Sequence, residues 1–393
     1  FEAVLILLKT NIFHCLSLVL WLTKGRAYLK YELSKRVNIP VASLPINTAF
    51  LEYLRTQKEE QRELILISAS NQKAVDEVND HIKLFDAAFG SDEKVNLRGQ
   101  KKLEKIKMLS GGKPFSYAGN SRDDLVIWKE ASQAVLVNCD TKTMNLETFK
   151  NTLEFDPPES TLKQLVKSVR PHQWLKNLLV FIPLILSHQL LDTSLISILL
   201  VTFVSFSLCA SSVYLMNDLF DLTHDRSHLT KSTRPFASGN LPIVVGLIAG
   251  PCLFILGAVI AFYLPINFLL IFFAYGLINF SYSFSLKRLF LLDVITLACL
   301  YTLRIVAGAE SIELQTTNWL LGFSFFLFLG LAIVKRVAEL FNVITSGNSE
   351  IQGRAYSKAH LNFLRSTGIL STAIAVSILA FYITDPETIE LYT

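Results

Sequence analysis

Between Asn217 and Arg234 the chain gathers oxygen donors and cations at a spacing suited to phosphate chemistry: Asn217, Asp218, Asp221 and Asp225, then Arg226, His228, Lys231 and Arg234. If the apolar run that ends at Leu215 continues as a helix, Asn217, Asp221 and Asp225 recur every four residues and share one face, with Asp218 a turn from Asp221. Three carboxylates so placed repel one another, and at the edge of an apolar run they are costly unless they face a cavity and meet cations. A divalent metal resolves that conflict. Mg²⁺ takes oxygens from one or two carboxylates, keeps waters, and completes its shell with substrate phosphate oxygens. Arg226, Lys231 and Arg234 would reach the same phosphates, the arginines through bidentate hydrogen bonds. The plainer reading is a solvated loop whose acids and bases pair with one another.

The elements that carry this loop belong in a membrane. Of 393 residues 51% are hydrophobic and 18% charged, against about 25% charged in an average soluble chain. From Leu175 onward the apolar residues form runs near the roughly 20 residues that a spanning helix needs. Seven candidate spans follow, at 172–190, 194–215, 242–264, 266–284, 289–309, 318–337 and 361–383. The segments after the second, fourth and sixth carry Arg226, Lys231 and Arg234, then Lys287 and Arg288, then Lys335, Arg336, Arg354 and Lys358. Those after the first, third and fifth hold no Lys or Arg. By the positive-inside rule the first set is cytoplasmic, and so is the polar part before Lys176, in a multi-pass protein of the cell (inner) membrane. Cys15, Cys139, Cys209, Cys252 and Cys299 form no CxxC pair, which argues against a zinc site or disulfide framework. The positive charge sits beside the spans rather than in a basic tract, so nucleic acid is a poor partner. The chain opens at Phe1 without Met, inside an apolar helical pattern, so residues upstream are expected. The join between a polar part, 1–160, and a membrane part, 161–393, reads at Asp156-Pro157-Pro158-Glu159-Ser160.

At Asn217, Asp218, Asp221 and Asp225 the chain resembles the UbiA superfamily of intramembrane prenyltransferases, whose first aspartate-rich motif reads NDxxDxxxD. The resemblance covers roughly residues 165–385 and is nearest to the decaprenyl-phosphate phosphoribosyltransferase branch. It is carried by Arg170-Pro-His-Gln-Trp-Leu-Lys-Asn177, by the extension from Asp225-Arg-Ser-His228 through Lys231 to Arg234-Pro235, and by Lys335-Arg336 with Glu339. Tyr282-Ser-Phe-Ser-Leu-Lys287 followed by Asp293-Val294 matches the second motif, in which Asp293 stands alone. The resemblance implies Mg²⁺ on Asn217, Asp218, Asp221 and Asp225, and a catalytic part for Asp218, Asp221, Asp225 and Asp293. It implies substrate contacts at Lys176, Asn177, Arg226, His228, Lys231, Arg234, Tyr282, Lys287, Lys335, Arg336 and Glu339. Nine spans are usual in the family, so seven here imply that the last two are absent.

Asp293 and Arg304 lie eleven positions apart in one span, which returns them to nearly the same face about 16 Å along the helix axis. An ionisable pair on one face suggests a cavity wall, with Arg304 touching substrate. Lys287 and Arg288 also suit plain positive-inside anchors, and Lys176 and Lys335 suit snorkelling cations. Phe325, Phe326 and Phe328 read as lipid-facing or packing residues.

In the polar half, Glu63–Ser68, Phe115–Asn120 and Ala134–Asn138 read as strands among helical stretches, hence a parallel α/β sheet with functional residues at strand carboxyl ends. Leu16–Tyr31 reads as an apolar helical segment. This half resembles the haloacid dehalogenase superfamily, a Rossmann-like fold, with Ser68, Lys102 and Asn120 to Asp124 at its second, third and fourth motifs. The nucleophile motif DxDxT is missing, and Asn120 stands where that family has a metal-binding Asp. Without the nucleophile no aspartyl-phosphate forms, which implies an accessory domain.

The expected fold is therefore an α/β haloacid dehalogenase-like domain followed by an all-α transmembrane bundle. The expected reaction is Mg²⁺-dependent loss of diphosphate from an anomeric or allylic carbon. In the phosphoribosyl branch, phosphoribosyl diphosphate is the donor and polyprenyl phosphate the acceptor. In the aromatic branch, polyprenyl diphosphate is the donor and a small molecule the acceptor. A non-catalytic lipid-binding protein or transporter would explain charged spans but has no use for Asn217 to Asp225 as a set.

Overall fold

The computed structural model describes residues 1–11, 13–93, 95–139, 151–155, 160–228, 230–347, 351 and 354–384. The proposed join at 156–159 lies outside them. The chain divides into two units: Phe1–Lys167 with Asp218–Gly246, and Ser168–Asn217 with Leu247–Thr393. The aspartate loop thus groups with the polar half.

The first unit opens with four helices: α1 (Glu2–Thr10), α2 (His14–Thr23), α3 (Arg26–Arg36) and α4 (Thr48–Glu59). Then come β1 (Ile65–Asn71), α5 (Gln72–Ile82), β2 (Ala87–Ser91), α6 (Gln100–Ser110), β3 (Ser116–Gly119), α7 (Leu125–Trp128), β4 (Gln133–Val137), β5 (Thr152–Phe155) and α8 (Thr161–Val169). Local chemistry sets several boundaries. Asn47 caps α4 by accepting from Phe50 N, and Asn71 caps α5 by accepting from Lys73 N. α5 ends at Lys83 in a left-handed conformation.

Among the described residues all strand pairing is parallel, as expected, yet it falls into two small sheets rather than one. β1 pairs with β2 (Ile65 opposite Ala87), and β4 lies between β3 and β5 (Tyr117 opposite Ala134, Ala134 opposite Thr152). The strands read at Glu63–Ser68, Phe115–Asn120 and Ala134–Asn138 appear as β1, β3 and β4. β2 and β5 were not anticipated: Ala87-Ala-Phe-Gly-Ser91 and Thr152-Leu-Glu-Phe155 are short and carry no β-branched run. Leu103, Ile106 and Ile127 pack with Ile67 and Tyr117, and Trp128 packs with Ala134, Leu136 and Cys139.

The second unit is helical. Among the described residues six helices are long and apolar enough to cross a membrane: α10 (Thr193–Phe220), α12 (Ile243–Ala261), α13 (Ile266–Phe284), α14 (Leu292–Ser311), α15 (Asn318–Thr345), and α16 (Leu361–Thr384) with the turn before it. Two of them, α10 and α12, continue into the first unit. The protein is an integral membrane protein. The candidate span at 172–190 is not a seventh such helix. Residues Pro171–Phe181 form a 3₁₀ stretch, α9 (Ile182–Leu186) follows, and His188 turns with φ 57°. Pro183 lacks the amide hydrogen that a continuous α-helix through 172–190 would use in its interior, and the segment before it takes the tighter turn. A short helix, α11 (Leu222–Ser227), belongs to the loop.

Phe206, Phe268, Phe272, Tyr275 and Leu300 form one core, and Val294, Ile333, Leu340, Tyr356 and Leu364 another. Phe262, Leu270, Leu277, Leu331 and Ile369 face outward, as helices dissolved in lipid allow. Phe328 stacks on Tyr301, centroids 5.1 Å apart, and Phe325 meets Phe326 edge on. At one point helix and 3₁₀ stretch touch backbone to backbone: a Cβ on Gly308 would lie 1.9 Å from the carbonyl oxygen of Val180.

Candidate functional site

The loop begins where α10 ends. Asp221 leaves helical geometry (φ −95°, ψ 12°), but Asp225 N still donates to Asp221 O at 2.8 Å, so α11 continues nearly the same turn sequence. The expected helical face survives in part. Asp218 and Asp225 are buried and converge on one guanidinium, Arg234 Nη1, at 3.1 and 2.6 Å. Asp221 instead meets Lys9 of α1: the ammonium donates to Asp221 Oδ1 at 3.1 Å and to Phe220 O at 2.8 Å. Arg226 is buried and pairs with Glu2 at 2.6 Å, while its Nε has no partner.

Some acids and bases of the loop therefore do pair with one another, Arg234 with Asp218 and Asp225, while Asp221 and Arg226 take partners, Lys9 and Glu2, from the other end of the sequence. Among the described residues no three His, Cys, Asp or Glu side chains gather into a ready metal cluster. The donor chemistry nevertheless suits a hard cation. Asn217 Oδ1 is buried without a hydrogen-bond partner, one turn before Asp221, and every other donor of the motif is a carboxylate. His228 receives Thr230 N at Nδ1 over 3.3 Å, and its ring lies 6.3 Å from that of His224. Desolvation first, then Lys231 and His224, push the His228 pKa down, which favours the neutral ring. Lys231 opens a 3₁₀ turn, Lys231–Thr233, three residues before Arg234.

The second unit holds two separate clusters. Asp293, fully buried, is a hub: Tyr282 Oη donates to its Oδ1 at 2.8 Å, Arg354 Nη1 donates at 2.9 Å, and Arg336 Nε stands 2.8 Å from Oδ2. That last contact is an ion pair without hydrogen-bond alignment. Glu339 pairs with Arg336 and lies 4.0 Å from Arg354. Two guanidiniums and two carboxylates thus balance. Leu291, just before α14, holds φ 62°, an unusual conformation for leucine, immediately beside this hub.

Arg304, on the same helix, is built differently. Its Nε donates to Asn177 Oδ1 at 2.9 Å, Nη1 to Leu300 O at 2.7 Å and Nη2 to Tyr275 Oη at 2.6 Å. Asn177 in turn donates to Ser207 Oγ at 3.0 Å. Asp293 and Arg304 do not pair with each other, so the shared face is not an ion pair.

Of the remaining candidates, Lys335 is exposed while its neighbour Arg336 is buried, and Lys287 lies in a 3₁₀ turn, Leu286–Arg288. Lys176 is half-buried on the 3₁₀ stretch. In the polar half, Lys102 and Asp124 do meet (3.4 Å), with Tyr117 Oη donating to Asp124 Oδ1 at 2.8 Å. Asp124 Oδ2 accepts from Asn120 N, Ser121 N and Ser121 Oγ. Burial works to raise the Asp124 pKa, but Lys102 and these hydrogen bonds outweigh it and hold the carboxyl below its usual range. Ser68 Oγ makes a local bond to Ser70 N at 3.1 Å. Glu2, Lys9, Tyr275 and Arg354 escaped the sequence reading as site residues. Only Arg354 left a trace, as one of several loop cations.

The UbiA prenyltransferase family profile matches residues 179–342. An uncharacterised protein of Sinorhizobium fredii is 33% identical over 373 residues, 94% of this chain and 72% of that protein. A decaprenyl-phosphate phosphoribosyltransferase of Mycolicibacterium smegmatis is 30% identical over 230 residues, 57% of this chain and 72% of that protein. A UbiA homologue from Archaeoglobus fulgidus, solved bound to GPP and Mg²⁺, is 20% identical with a TM-score of 0.47, covering 56% of this chain and 78% of that one.

Proposed function

Since this chain belongs to the UbiA prenyltransferase family, we propose that it transfers phosphoribose from phosphoribosyl diphosphate to a polyprenyl phosphate such as decaprenyl phosphate. The observation that carries the choice of donor is Arg234. It lies in the extension beyond the NDxxDxxxD motif, the part that likens the chain to the phosphoribosyl branch, and it bridges Asp218 and Asp225. An extension built into the aspartate loop in this way is part of the phosphate machinery rather than a passing loop.

In this reading Asn217, Asp218, Asp221 and Asp225 hold Mg²⁺. Bound there, Mg²⁺ would supply Lewis-acid stabilisation of the negative charge that builds on the leaving diphosphate. Arg234 holds Asp218 and Asp225 in place, and Arg226, Lys231 and neutral His228 supply donors to phosphate oxygens. The C1–O bond of the donor breaks, diphosphate leaves, and an oxygen of the lipid phosphate captures the anomeric carbon. Asp293 serves by fixing Arg336, Arg354 and Tyr282, and Lys287 and Lys335 anchor their helix ends at the cytoplasmic surface. External labelling of a cysteine placed between 217 and 234 would refute that orientation. The polar half, with Asp124 saturated by its own neighbours, is an accessory domain.

The test is to offer membranes containing the protein labelled phosphoribosyl diphosphate and, separately, labelled polyprenyl diphosphate. Mg²⁺-dependent label in the lipid fraction from the first supports the assignment. Label transferred only from the second replaces it with prenyl transfer to a small acceptor.

A further inference from the structure

The aspartate loop is gripped by α1, and the two belong to the same compact unit. Lys9 donates to Asp221 Oδ1 at 3.1 Å and to Phe220 O at 2.8 Å, and Glu2 Oε1 accepts from Arg226 Nη1 at 2.6 Å. Glu2 stands in the first turn of α1 and Lys9 in the last, about two turns and 10 Å apart along one face. Asp221 stands before α11 and Arg226 near its end. The order of the partners is reversed, so α1 runs antiparallel to this stretch and each charge meets its opposite.

The match goes further than sign. Asp221 is a residue assigned above to Mg²⁺, and α1 answers it with a cation. Arg226 is a donor assigned above to phosphate, and α1 answers it with a carboxylate. The helix thus presents to the loop the two charges that Mg²⁺ and a phosphate would bring. The side chains of Arg226 and Glu2 are 7% and 12% exposed, and a buried charge stripped of its partner is costly. Exchanging Glu2 for a phosphate oxygen avoids that cost, because Arg226 faces an anion before and after. Arg226 Nε, buried without a hydrogen-bond partner, is a further donor that Glu2 does not use.

The joint is built to part. Leu7 of α1 is buried with Leu33 of α3 and with Val37. Between α1 and the loop lies a cavity of about 210 Å³, lined by Leu5, Ile6 and Lys9 on one side and by Leu219, Phe220 and Thr223 on the other. Packed interiors leave few such gaps. The two polar pairs therefore span a gap rather than seal a core.

We propose that α1 is a latch on the aspartate loop: Lys9 stands in for the metal at Asp221, Glu2 stands in for phosphate at Arg226, and loading of the loop with Mg²⁺ and a diphosphate displaces both. This rests on the loop assignment above and adds what controls access to it. The polar half then regulates the loop through its first helix.

The test uses the purified full chain in detergent and follows Mg²⁺ binding by titration calorimetry, with and without inorganic diphosphate, the group common to both candidate donors. Lys9 is 30% exposed, so its replacement leaves the core untouched. Lys9→Met should tighten Mg²⁺ binding at least about fivefold, and Lys9→Arg, which keeps the charge, should stay near the parent. Glu2→Ala should also tighten Mg²⁺ binding. That sign separates a latch from plain electrostatics, in which losing a nearby carboxylate weakens cation binding. By reciprocity the ligand must loosen the latch. Acetylation of Lys9 in the parent protein, read by mass spectrometry, should therefore speed up when Mg²⁺ and diphosphate are added together.

Unchanged or weaker Mg²⁺ binding in Lys9→Met or in Glu2→Ala overturns the latch, and so does Lys9 acetylation that slows or holds steady on loading. Failure of the loop assignment shows separately: Asp218→Asn would then bind Mg²⁺ like the parent, which removes the metal site from the loop and the latch with it.

Discussion

Replacing Gly308 by alanine tests the packing of α14 against the 3₁₀ stretch that carries Asn177. A methyl at that position would sit 1.9 Å from Val180 O and 2.7 Å from Val180 C, both backbone atoms with no rotamer to escape into. The 3₁₀ stretch would have to retreat from α14 by about 1.1 Å to reach even the 3.0 Å at which real contacts begin. Overpacking of this kind costs roughly 1–3 kcal/mol, and a clash against backbone belongs at the upper end. Alanine in a helix interior gains back about 1 kcal/mol over glycine, so a net loss near 2 kcal/mol is expected. For a unit of this size that lowers the unfolding temperature by roughly 4–8 °C. The same retreat carries Asn177, three residues before Val180, away from Arg304 Nε, now at 2.9 Å. Thermal unfolding of the detergent-solubilised protein measures the first effect. Gly322→Ala is the control, because its methyl would meet only Ile378 Cδ1 at 3.4 Å, and it should be neutral or stabilising. A Gly308→Ala protein as stable as the Gly322→Ala control would refute the close approach.

Asp218→Asn or Asp221→Asn should abolish Mg²⁺-dependent turnover while the protein still inserts and purifies; near-normal rates from either would sink the loop as the metal site. Asp293→Asn should destabilise the second unit by about 3 kcal/mol or more, because Arg336 and Arg354 lose their shared carboxylate. Adding Arg336→Met to that variant should restore part of the loss, and an additive double mutant would show that the pair is not coupled. The depressed Asp124 pKa adds stability that is present above the unfolded carboxyl value and is lost as pH falls through the folded one. Hydrogen-exchange protection factors of residues 116–128 should therefore fall in acid in the parent protein, and an identical pH profile in Asp124→Asn would contradict this. Residues 1–160 should not hydrolyse small phosphomonoesters, since Lys102, Ser68 and Asp124 include no in-line nucleophile; measurable turnover by that segment would show that one exists.

Hydropathy and local spacing were enough to reveal a membrane protein, the ends of most spans, and the run from Asn217 to Arg234. Those signals are local: a span is a stretch of apolar residues, and a motif on a helix repeats every turn. The same local logic drew a helix through 172–190, where Pro183 and the turn at His188 interrupt it and 3₁₀ geometry stands instead. It also drew one sheet where β1–β2 and β3–β4–β5 form two, because the order of strands is set by crossovers rather than by strand composition. Charge pairing lay beyond it altogether. Asp221 meets Lys9 across 212 positions, Asp293 meets Arg354 across 61, and Arg304 meets Asn177 across 127. Asp293 and Arg304 look alike in the sequence, two ionisable residues on one face of one helix. Packing alone separates them, because α15 and the loop after it bring two guanidiniums to Asp293, while the 3₁₀ stretch and α13 bring Arg304 only an amide and a phenol. Which buried charge meets carboxylates and which meets only neutral groups is decided by the neighbouring elements, and those meet only once the helices have packed.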